Sequence, residues 1–267
     1  MEEDEFIKVA TAAGIEVAKD IYQDAAKGAT VEAGESLQAI VGLFNNVVLF
    51  PIKKANINYR YKLEEFEKDL RRKIEKIPQE KIGEPDLTIS GPTIEALKYT
   101  FDTKEIREMY LNLLASSMNQ DIRDKAHPAF VEIIKNMSAF DAKIFELFST
   151  SSNIPIAAIR ITTGENYFLH ALPQIFSSEL FLHGDPFELS RCLLNLERLA
   201  IIKLRLDRYL PNYNYTLEES HQFIQGQFIK YANEYPSDNV LCQMQLKGYT
   251  ELTGLGKALQ ACCFDNK

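Results

Sequence analysis

The sequence is most regular over residues 91–146, which read GPTIEALKYTFDTKEIREMYLNLLASSMNQDIRDKAHPAFVEIIKNMSAFDAKIFE. Over residues 106–117, apolar and small side chains recur at three- and four-residue spacing, as they do on one face of an amphipathic helix. Pro92 suits the first turn of a preceding helix, because its missing N–H would be unpaired there in any case. Asp102 and Glu105 have the spacing of a capping pair for the next helix. This stretch predicts a run of packed helices.

Two further amphipathic segments come before this stretch. Residues 4–29 predict a first helix, and residues 53–77 predict a long second helix with opposite charges interspersed on its polar face. The apolar positions of the second helix are Tyr59, Leu63, Phe66, Leu70, Ile74 and Ile77. Together with a central block over residues 91–149, we expect these helices to form a helical bundle, an N-terminal domain of residues 1–149.

The apolar segment over residues 37–52 leaves two interpretations open. It is too short to cross a bilayer, which takes roughly 20 apolar residues. One interpretation is a buried core helix. The other is a helix that lies in a membrane surface, because basic residues follow directly and would meet anionic headgroups. The candidate membrane contacts are Phe44, Phe50, Lys53 and Lys54.

The last third of the chain changes character. Residues 154–163 are rich in β-branched side chains and predict a strand, and Asp185 predicts the start of a helix. A second strand follows that helix directly. A third strand shows clean alternation, and the side chains predicted to share one of its faces are Val240, Cys242, Met244 and Leu246. A helical insertion over residues 217–235 separates these last two strands.

This order of helix, strand, strand and closing helix resembles a winged-helix module. The likeness is carried by Tyr249, Leu252, Thr253, Leu255, Gly256 and Leu259. We expect Thr253 to cap the closing helix, and we expect a winged-helix-like α+β domain over residues 150–267. Its boundary is predicted in residues 150–153, and the preceding helix is open to either domain. The predicted fold class is mainly α with a smaller α+β part.

Catalytic motifs are absent from the sequence. It holds no phosphate-binding loop, no nucleophile elbow and no paired metal ligands, so we predict neither a metal site nor a cofactor. His127 is the candidate functional residue, with Asp124 and Glu132 near it in sequence. A capping or packing role for His127 is favoured over catalysis, because no nucleophile accompanies it.

The cysteines and the N-terminal residues both bear on the cellular compartment of the protein. The four cysteines show no metal-binding spacing, so we expect free thiols in a reducing environment. The N-terminus is acidic, whereas a signal peptide begins with positive charge. The sequence therefore predicts a cytoplasmic protein.

The overall charge bears on the kind of partner. A net charge of −8 argues against a dedicated nucleic-acid binder. A small basic patch remains on the predicted helix after Asp185 and on the strand that follows it. Its members are Arg191, Arg198, Lys203, Arg205 and Arg208. Because winged helices also serve protein contacts, the acidic total favours a protein partner over nucleic acid.

The string GPTIEALKYTFDTKEIREMYLNLLASSMN, followed by AHPAFVEIIKNMSAFDAKIFE, resembles the hallmark of the abortive-infection alpha family. The segment LFPIKKANINYRYKLEEFEKDLRRKIEKIP is similar to the same family, so the likeness extends over residues 1–260. The resemblance implies bacterial defence against phage, in which an infected cell stops growing or dies before virus is released. It supplies no catalytic residues.

Two classes of mechanism follow from that role. We expect a non-enzymatic sensor or effector that works through a protein partner or by self-association. The alternative is an effector that acts directly, on anionic membrane through residues 37–62 or on nucleic acid through the C-terminal domain.

Overall fold

The computed structural model describes residues 32–49, 58–151, 153–163, 167–169, 172–236 and 239–264. The predicted helix over residues 4–29 lies outside them, as do Phe50, Lys53 and Lys54. The described residues form helices and one small antiparallel sheet, which confirms the predicted mainly α fold with a smaller α+β part. Among them, no helix has the length and apolar character that a membrane span requires.

The chain divides into two compact units. The first contains residues 1–139 and 258–267, and the second contains residues 140–257. The helix that precedes residues 150–153 falls in the second unit from its second residue onward. The predicted domain boundary itself stays a prediction.

The first unit is built from helices. They are α1 (Glu32–Phe44), which continues as a π-helical turn (Asn45–Leu49), α2 (Asn58–Ile74), α3 (Leu87–Thr100), α4 (Lys104–Met118) and α5 (Ala129–Lys135). Leu37, Ile40 and Phe44 of α1 are buried, as the core-helix interpretation of this segment requires. Phe44 stacks on Phe66 of α2, with ring centroids 3.9 Å apart.

α3 begins earlier than the sequence predicts. Its N-cap is Asp86, whose Oδ1 accepts hydrogen bonds from the Thr88 N–H at 2.9 Å and the Thr88 hydroxyl at 2.7 Å. Pro92 therefore lies inside the helix, where it lacks the N–H that would bond the Thr88 carbonyl. The helix nevertheless continues through Pro92 to Thr100. The first-turn prediction for Pro92 is wrong.

α4 starts without the predicted capping pair. Its N-cap is Thr103, which makes no side-chain capping bond. Asp102 is instead paired with Lys62 of α2 at 2.9 Å. Because the Asp102 carboxylate pairs with another helix, it does not cap α4. The spacing of residues within one helix does not predict such a pair.

Ion pairs also hold α2 against α4. Arg107 of α4 pairs with Glu65 of α2 at 2.9 Å. The buried ammonium of Lys73 pairs with Glu108 at 2.8 Å. Part of the charged face of α2 is therefore directed at a partner helix within the unit rather than at solvent.

The second unit combines helices with a sheet. Its helices are α6 (Ala139–Leu147), α7 (Pro186–Arg198), α8 (Thr216–Glu219) and α9 (Gln222–Glu234), and its strands are β1 (Pro155–Thr163), β2 (Tyr167–Leu169), β3 (Ile202–Arg205) and β4 (Leu241–Leu252). The last helix, α10 (Gly254–Cys263), begins in the second unit and ends in the first. The strands pair antiparallel in the order β2-β1-β4-β3.

Several predicted elements of this unit are confirmed. β1 covers the predicted first strand, and α7 begins at Asp185, whose Oδ1 accepts from the N–H groups of Phe187 and Glu188 at 3.0 and 3.1 Å. The predicted insertion is helical but is broken between α8 and α9. The winged-helix likeness stays a prediction.

A bulge in the β1–β4 pair changes the face that the residues of β4 occupy. Ile159 lies opposite Met244. Ala158 lies opposite Leu246, so Gln245 is the extra residue. Because paired residues share a face and neighbours alternate, Leu246 leaves the face that Met244 shares with Ile159. Leu246 is accordingly exposed, and the prediction that it faces the same way as Met244 is wrong.

The turn from α7 to β3 is closed by a helix-ending motif around Ala200. The Ala200 N–H donates to the Glu197 carbonyl at 2.8 Å, and the Ile201 N–H donates to the Leu196 carbonyl at 3.2 Å. Ala200 has a φ of 59°, in the left-handed region where glycine is usual. The chain thus reverses direction at an alanine, whose left-handed backbone conformation is less favourable than that of a glycine.

α10 starts directly against this turn. The Thr253 hydroxyl accepts from the Gly256 N–H at 2.9 Å, which confirms the predicted cap, and it donates to the Ala200 carbonyl at 2.7 Å. A Cβ on Gly256 would lie 1.9 Å from the Ile201 carbonyl oxygen. Only glycine therefore allows the helix to approach the turn this closely.

The end of α10 is held within the first unit by two side chains of α4. The Ser116 hydroxyl donates to the Cys262 carbonyl at 2.8 Å, and the Asn112 amide donates to the Cys263 carbonyl at 2.7 Å. The four cysteines are free thiols, as the sequence predicts. Burial raises the pKa of Cys262 to about 11, so this thiol is protonated and unreactive at neutral pH.

The contact at Gly256 gives a prediction with an internal control. Gly256→Ala should lower the free energy of unfolding by at least about 2 kcal/mol, because the new methyl group overlaps the Ile201 carbonyl. Gly226→Ala, inside α9 with no atom within 4 Å of its Cβ position, should raise it by about 0.5–1 kcal/mol. Urea denaturation of both variants measures this. Equal effects of the same sign would contradict the proposed crowding at Gly256.

Candidate functional site

His127 lies at the start of α5, where its Nδ1 accepts a hydrogen bond from the Ala129 N–H at 3.0 Å. The ring is exposed and faces Phe130, with ring centroids 6.1 Å apart. Glu132 is exposed and pairs with Lys135 at 3.2 Å, and Asp124 is exposed in a separate 3-10 turn. The geometry of His127 is therefore that of a helix cap.

The basic patch is largely engaged by neighbours of its own unit. The Arg198 guanidinium donates to the Asn195 Oδ1 at 2.8 and 3.0 Å. Arg205 pairs with Glu251 across the β3–β4 pair at 3.0 Å, and Arg208 pairs with Asp207 at 3.5 Å. Arg191 and Lys203 are exposed. Two of the five positive charges are therefore paired with acids, whereas Arg198 is held by a neutral amide and Arg191 and Lys203 face solvent.

The remaining described candidate is Phe44, the predicted membrane contact. Its ring is fully buried in the first unit and would have to leave that core to meet lipid. Within the described part of the chain, no three potential metal ligands lie close enough together to hold an ion.

A different surface, in the second unit, stands out by its exposure. We call it the aromatic surface, and its members are Phe176, Phe181, Leu182, Phe187, His221 and Phe223. Leu182 is 90% exposed and Phe187 is 36% exposed. Phe176 is buried below them and is stacked with Phe223, with ring centroids 6.1 Å apart. Aliphatic and aromatic groups thus lie at the protein surface above a buried aromatic base.

The rings of the aromatic surface contact each other across three segments of the chain. His221 lies 4.4 Å from Phe181 and 5.2 Å from Phe176 between ring centroids. Phe223 lies 6.0 Å from Phe181 and meets the edge of Phe187 at 6.2 Å. Such tilted and edge-on pairs are the favoured arrangements of aromatic rings. The surface is therefore a packed cluster rather than a set of isolated side chains.

Local sequence explains how each segment presents its ring. Asp185 caps α7 and so places Phe187 in the first exposed turn. His221 caps α9, with its Nδ1 accepting from the Phe223 N–H at 3.3 Å. Gly184 is required because a Cβ there would lie 2.6 Å from the Phe140 ring. Two helix starts and one glycine turn therefore converge on the surface.

A buried carboxylate fastens these segments together. Glu218 of α8 is fully buried, and its carboxylate accepts from the Ser178 N–H at 2.7 Å, the Ser178 hydroxyl at 2.9 Å and the Tyr213 hydroxyl at 2.7 Å. We call this arrangement the Glu218 latch. It links the insertion to the turn that carries Phe181 and Leu182.

Burial dominates the electrostatics of the latch. It raises the pKa of the Glu218 carboxyl, and the hydrogen bonds from Tyr213 and Ser178 oppose that rise. Burial likewise raises the pKa of Tyr213, so its hydroxyl keeps the proton that it donates. Burial lowers the pKa of His221, which favours a neutral ring in the aromatic surface at pH 7.

A family model described as abortive infection alpha matches residues 58–263. The chain belongs to the abortive infection alpha family. The resemblance drawn from the central stretch is therefore confirmed, and the match also takes in the aromatic surface and the latch. No curated protein and no solved structure matches the sequence.

The aromatic surface presents apolar groups to solvent and keeps its carboxylate inside. The Glu218 carboxylate is sealed from solvent and already accepts three hydrogen bonds, so it does not meet a substrate. The groups that do reach solvent, Leu182 and Phe187, are apolar. The rim carries exposed acids, Glu179 and Glu188.

The sequence carried only part of this information. Three phenylalanines fall within residues 176–187 beside a helix cap, a density of large rings that marks the segment. Glu218 had no comparable signal, because its partner Ser178 lies 40 residues away.

The latch predicts a pH effect on stability. The pKa of Glu218 is raised above its ordinary value of 4.5, so its contribution to folding is full below that value and is lost as pH rises through the folded pKa. Glu218→Gln removes this titration. The stability of the natural protein relative to Glu218→Gln should therefore fall as pH rises from 4.5, in urea denaturation at a series of pH values.

Tyr213→Phe is the matched variant for this experiment. It keeps the carboxylate but removes a hydrogen bond that lowers the Glu218 pKa, so the loss of stability should extend to higher pH. If the stability of the natural protein and of Glu218→Gln depended on pH in the same way, Glu218 would not have a raised pKa in the folded state.

Proposed function

We propose that this abortive infection protein acts as a non-enzymatic sensor or effector, through contact of its aromatic surface with a protein partner. Membership of the family supports the role in phage defence. The observation that carries the contact mechanism is the 90% exposure of Leu182, which follows the half-buried Phe181 in the chain.

The energetics support a binding role. Covering a Leu or Phe side chain stabilises a complex by about 1.5–3 kcal/mol, so the exposed Leu182 and Phe187 each offer a substantial gain to a partner. Aromatic residues are enriched in the buried centre of protein interfaces. Rigid rings also lose little conformational entropy on binding, and the rings here are already packed against one another.

Phage plating tests this mechanism in cells. Leu182→Asp places a charge at the most exposed apolar side chain of the aromatic surface, so it should abolish protection and restore plating to the level of cells without the protein. Tyr99→Asp is the control, because Tyr99 is 79% exposed on α3 of the first unit. It should protect as well as the natural protein.

Both variants must be shown to fold, by circular dichroism and thermal melting, before plating is interpreted. A folded Leu182→Asp protein that protects fully would refute a partner contact at the aromatic surface. Loss of protection in both variants would show that the effect is not specific to that surface.

Direct binding of nucleic acid is the alternative, and the pairing of the basic patch argues against it. With Arg205 and Arg208 paired with acids and a net charge of −8 on the chain, we expect no binding of duplex DNA at 150 mM salt below about 100 µM protein. Fluorescence anisotropy at two salt concentrations measures this. Tight, steeply salt-dependent binding that is lost in Lys203→Gln would favour the alternative.

A further inference from the structure

The two stretches of chain that form the aromatic surface contain no lysine or arginine. All six members of the surface come from residues 161–190 and 209–229. The whole chain carries 30 lysines and arginines among 267 residues, whereas these stretches run for 30 and 21 residues without one. Both stretches contain acidic residues. The charge that the chain provides around the aromatic surface is therefore of one sign.

Each of the two exposed apolar side chains on this surface has an unpaired acid close to it in sequence. Glu179 lies three residues before Leu182, in the tight turns that lead into the 3-10 segment Phe181–His183. Glu188 follows Phe187 directly in the first turn of α7. Both acids are exposed, and within the described part of the chain neither forms an ion pair.

The negative charge at this rim is not neutralised by nearby bases. Burial raises the pKa of the Glu179 carboxyl, because partial removal from water disfavours its charged form. Asp185, which caps α7, adds a further acid. The basic residue nearest in sequence is Arg191, about one turn after Phe187, and it leaves Glu188 unpaired. A cation brought by a partner would therefore gain from these acids.

We propose that the partner segment that binds the aromatic surface is basic and amphipathic, with an apolar face for the exposed Leu182 and Phe187 and with lysines or arginines for the acidic rim. The inference rests on the proposed function, because it names the chemistry of the partner that the contact mechanism requires. Buried apolar and aromatic side chains supply most of the affinity of such contacts. Opposite charges around them select the partner and raise the rate of association.

The acidic rim disfavours other occupants of an apolar surface. Nucleic acid and anionic lipid headgroups would bring more negative charge towards Glu179 and Glu188. A second copy that presented its own aromatic surface would bring the same acids, because a two-fold contact joins the same patch on both copies. A neutral apolar segment would leave both carboxylates unpaired. A basic amphipathic segment is the occupant that complements both the apolar side chains and the acids.

Two synthetic peptides of about 15 residues test the chemistry of the partner. They share one leucine face, and their polar face is lysine in the first peptide and glutamate in the second. Fluorescence anisotropy with the full chain, at about 50 mM salt, should show at least about tenfold tighter binding of the lysine peptide. Equal affinity for the two peptides would overturn the proposal.

Matched variants locate the binding of the lysine peptide. Removing both charges in Glu179→Gln/Glu188→Gln should weaken it about tenfold. Glu84→Gln/Glu95→Gln removes the same charge from exposed positions of the first unit and should leave it unchanged. Equal weakening in the two double variants would show attraction to the whole acidic chain, and would overturn the proposal.

Leu182→Ser tests the apolar half of the contact. It keeps the net charge of the chain, so attraction by charge alone would leave the affinity for the lysine peptide unchanged. A contact that covers Leu182 should instead weaken about tenfold, because it loses buried apolar area. Circular dichroism first establishes that each variant is folded. Binding that Leu182→Ser does not weaken would overturn the proposal.

Phage plating distinguishes failure of this inference from failure of the proposed function. Cells that express Glu179→Gln/Glu188→Gln should lose at least about tenfold of their protection, and cells that express Glu84→Gln/Glu95→Gln should keep it. If the rim variant protected fully while Leu182→Asp did not, the basic partner would be refuted and the protein contact would stand. Full protection by a folded Leu182→Asp protein would refute both.

Discussion

The second unit depends on one close contact, the approach of Gly256 to the Ile201 carbonyl. Thr253 reinforces it by capping α10 while its hydroxyl bonds the Ala200 carbonyl. Since Ile202 pairs with Leu252 directly beside this contact, the same atoms set the register of β3 on β4. β4 in turn pairs with β1, so a single glycine position determines how a helix start, a helix end and the sheet meet. No larger side chain satisfies all three.

What the sequence could predict follows from the range of each interaction. The caps at Asp185 and Thr253 act within three residues, so residue type and spacing were enough to find them. The periodic helices were found for the same reason. The position of Pro92 in its helix is not predicted, because the Asp86 cap starts the helix six residues upstream of it. Leu246 was misplaced because a bulge belongs to a pair of strands, not to one strand.

The aromatic surface and the Glu218 latch are not predicted by local residue spacing, because they depend on contacts between distant parts of the chain. His127 stands out in the sequence by residue type alone, and its Nδ1 accepts the N–H of Ala129 at the start of α5. Glu218 is ordinary in sequence and acquires its character only when Ser178 and Tyr213 are brought around it. A buried carboxylate with three donors depends on non-local folding, as does a cluster of rings drawn from three segments. Rings can be counted in a sequence, but their convergence cannot.

Some residues of the second unit lower the stability of the fold, and their positions bear on where a function would lie. A left-handed Ala200 costs about 1 kcal/mol, a buried Glu218 resists ionisation, and an exposed Leu182 forgoes burial. An apolar side chain in place of Glu218 would avoid the cost of removing a carboxylate from water. It would not, however, fix α8 to the turn at Ser178, as the directional hydrogen bonds of Glu218 do. Proteins retain such costs where a geometry is needed for a purpose other than stability. The central helices carry costs as well, since Pro92 lies inside α3 and the Ser90 and Thr93 hydroxyls are buried without a hydrogen-bond partner. The cost at the aromatic surface differs in kind, because a partner that covered Leu182 would remove it, and the proposed contact is placed there for that reason.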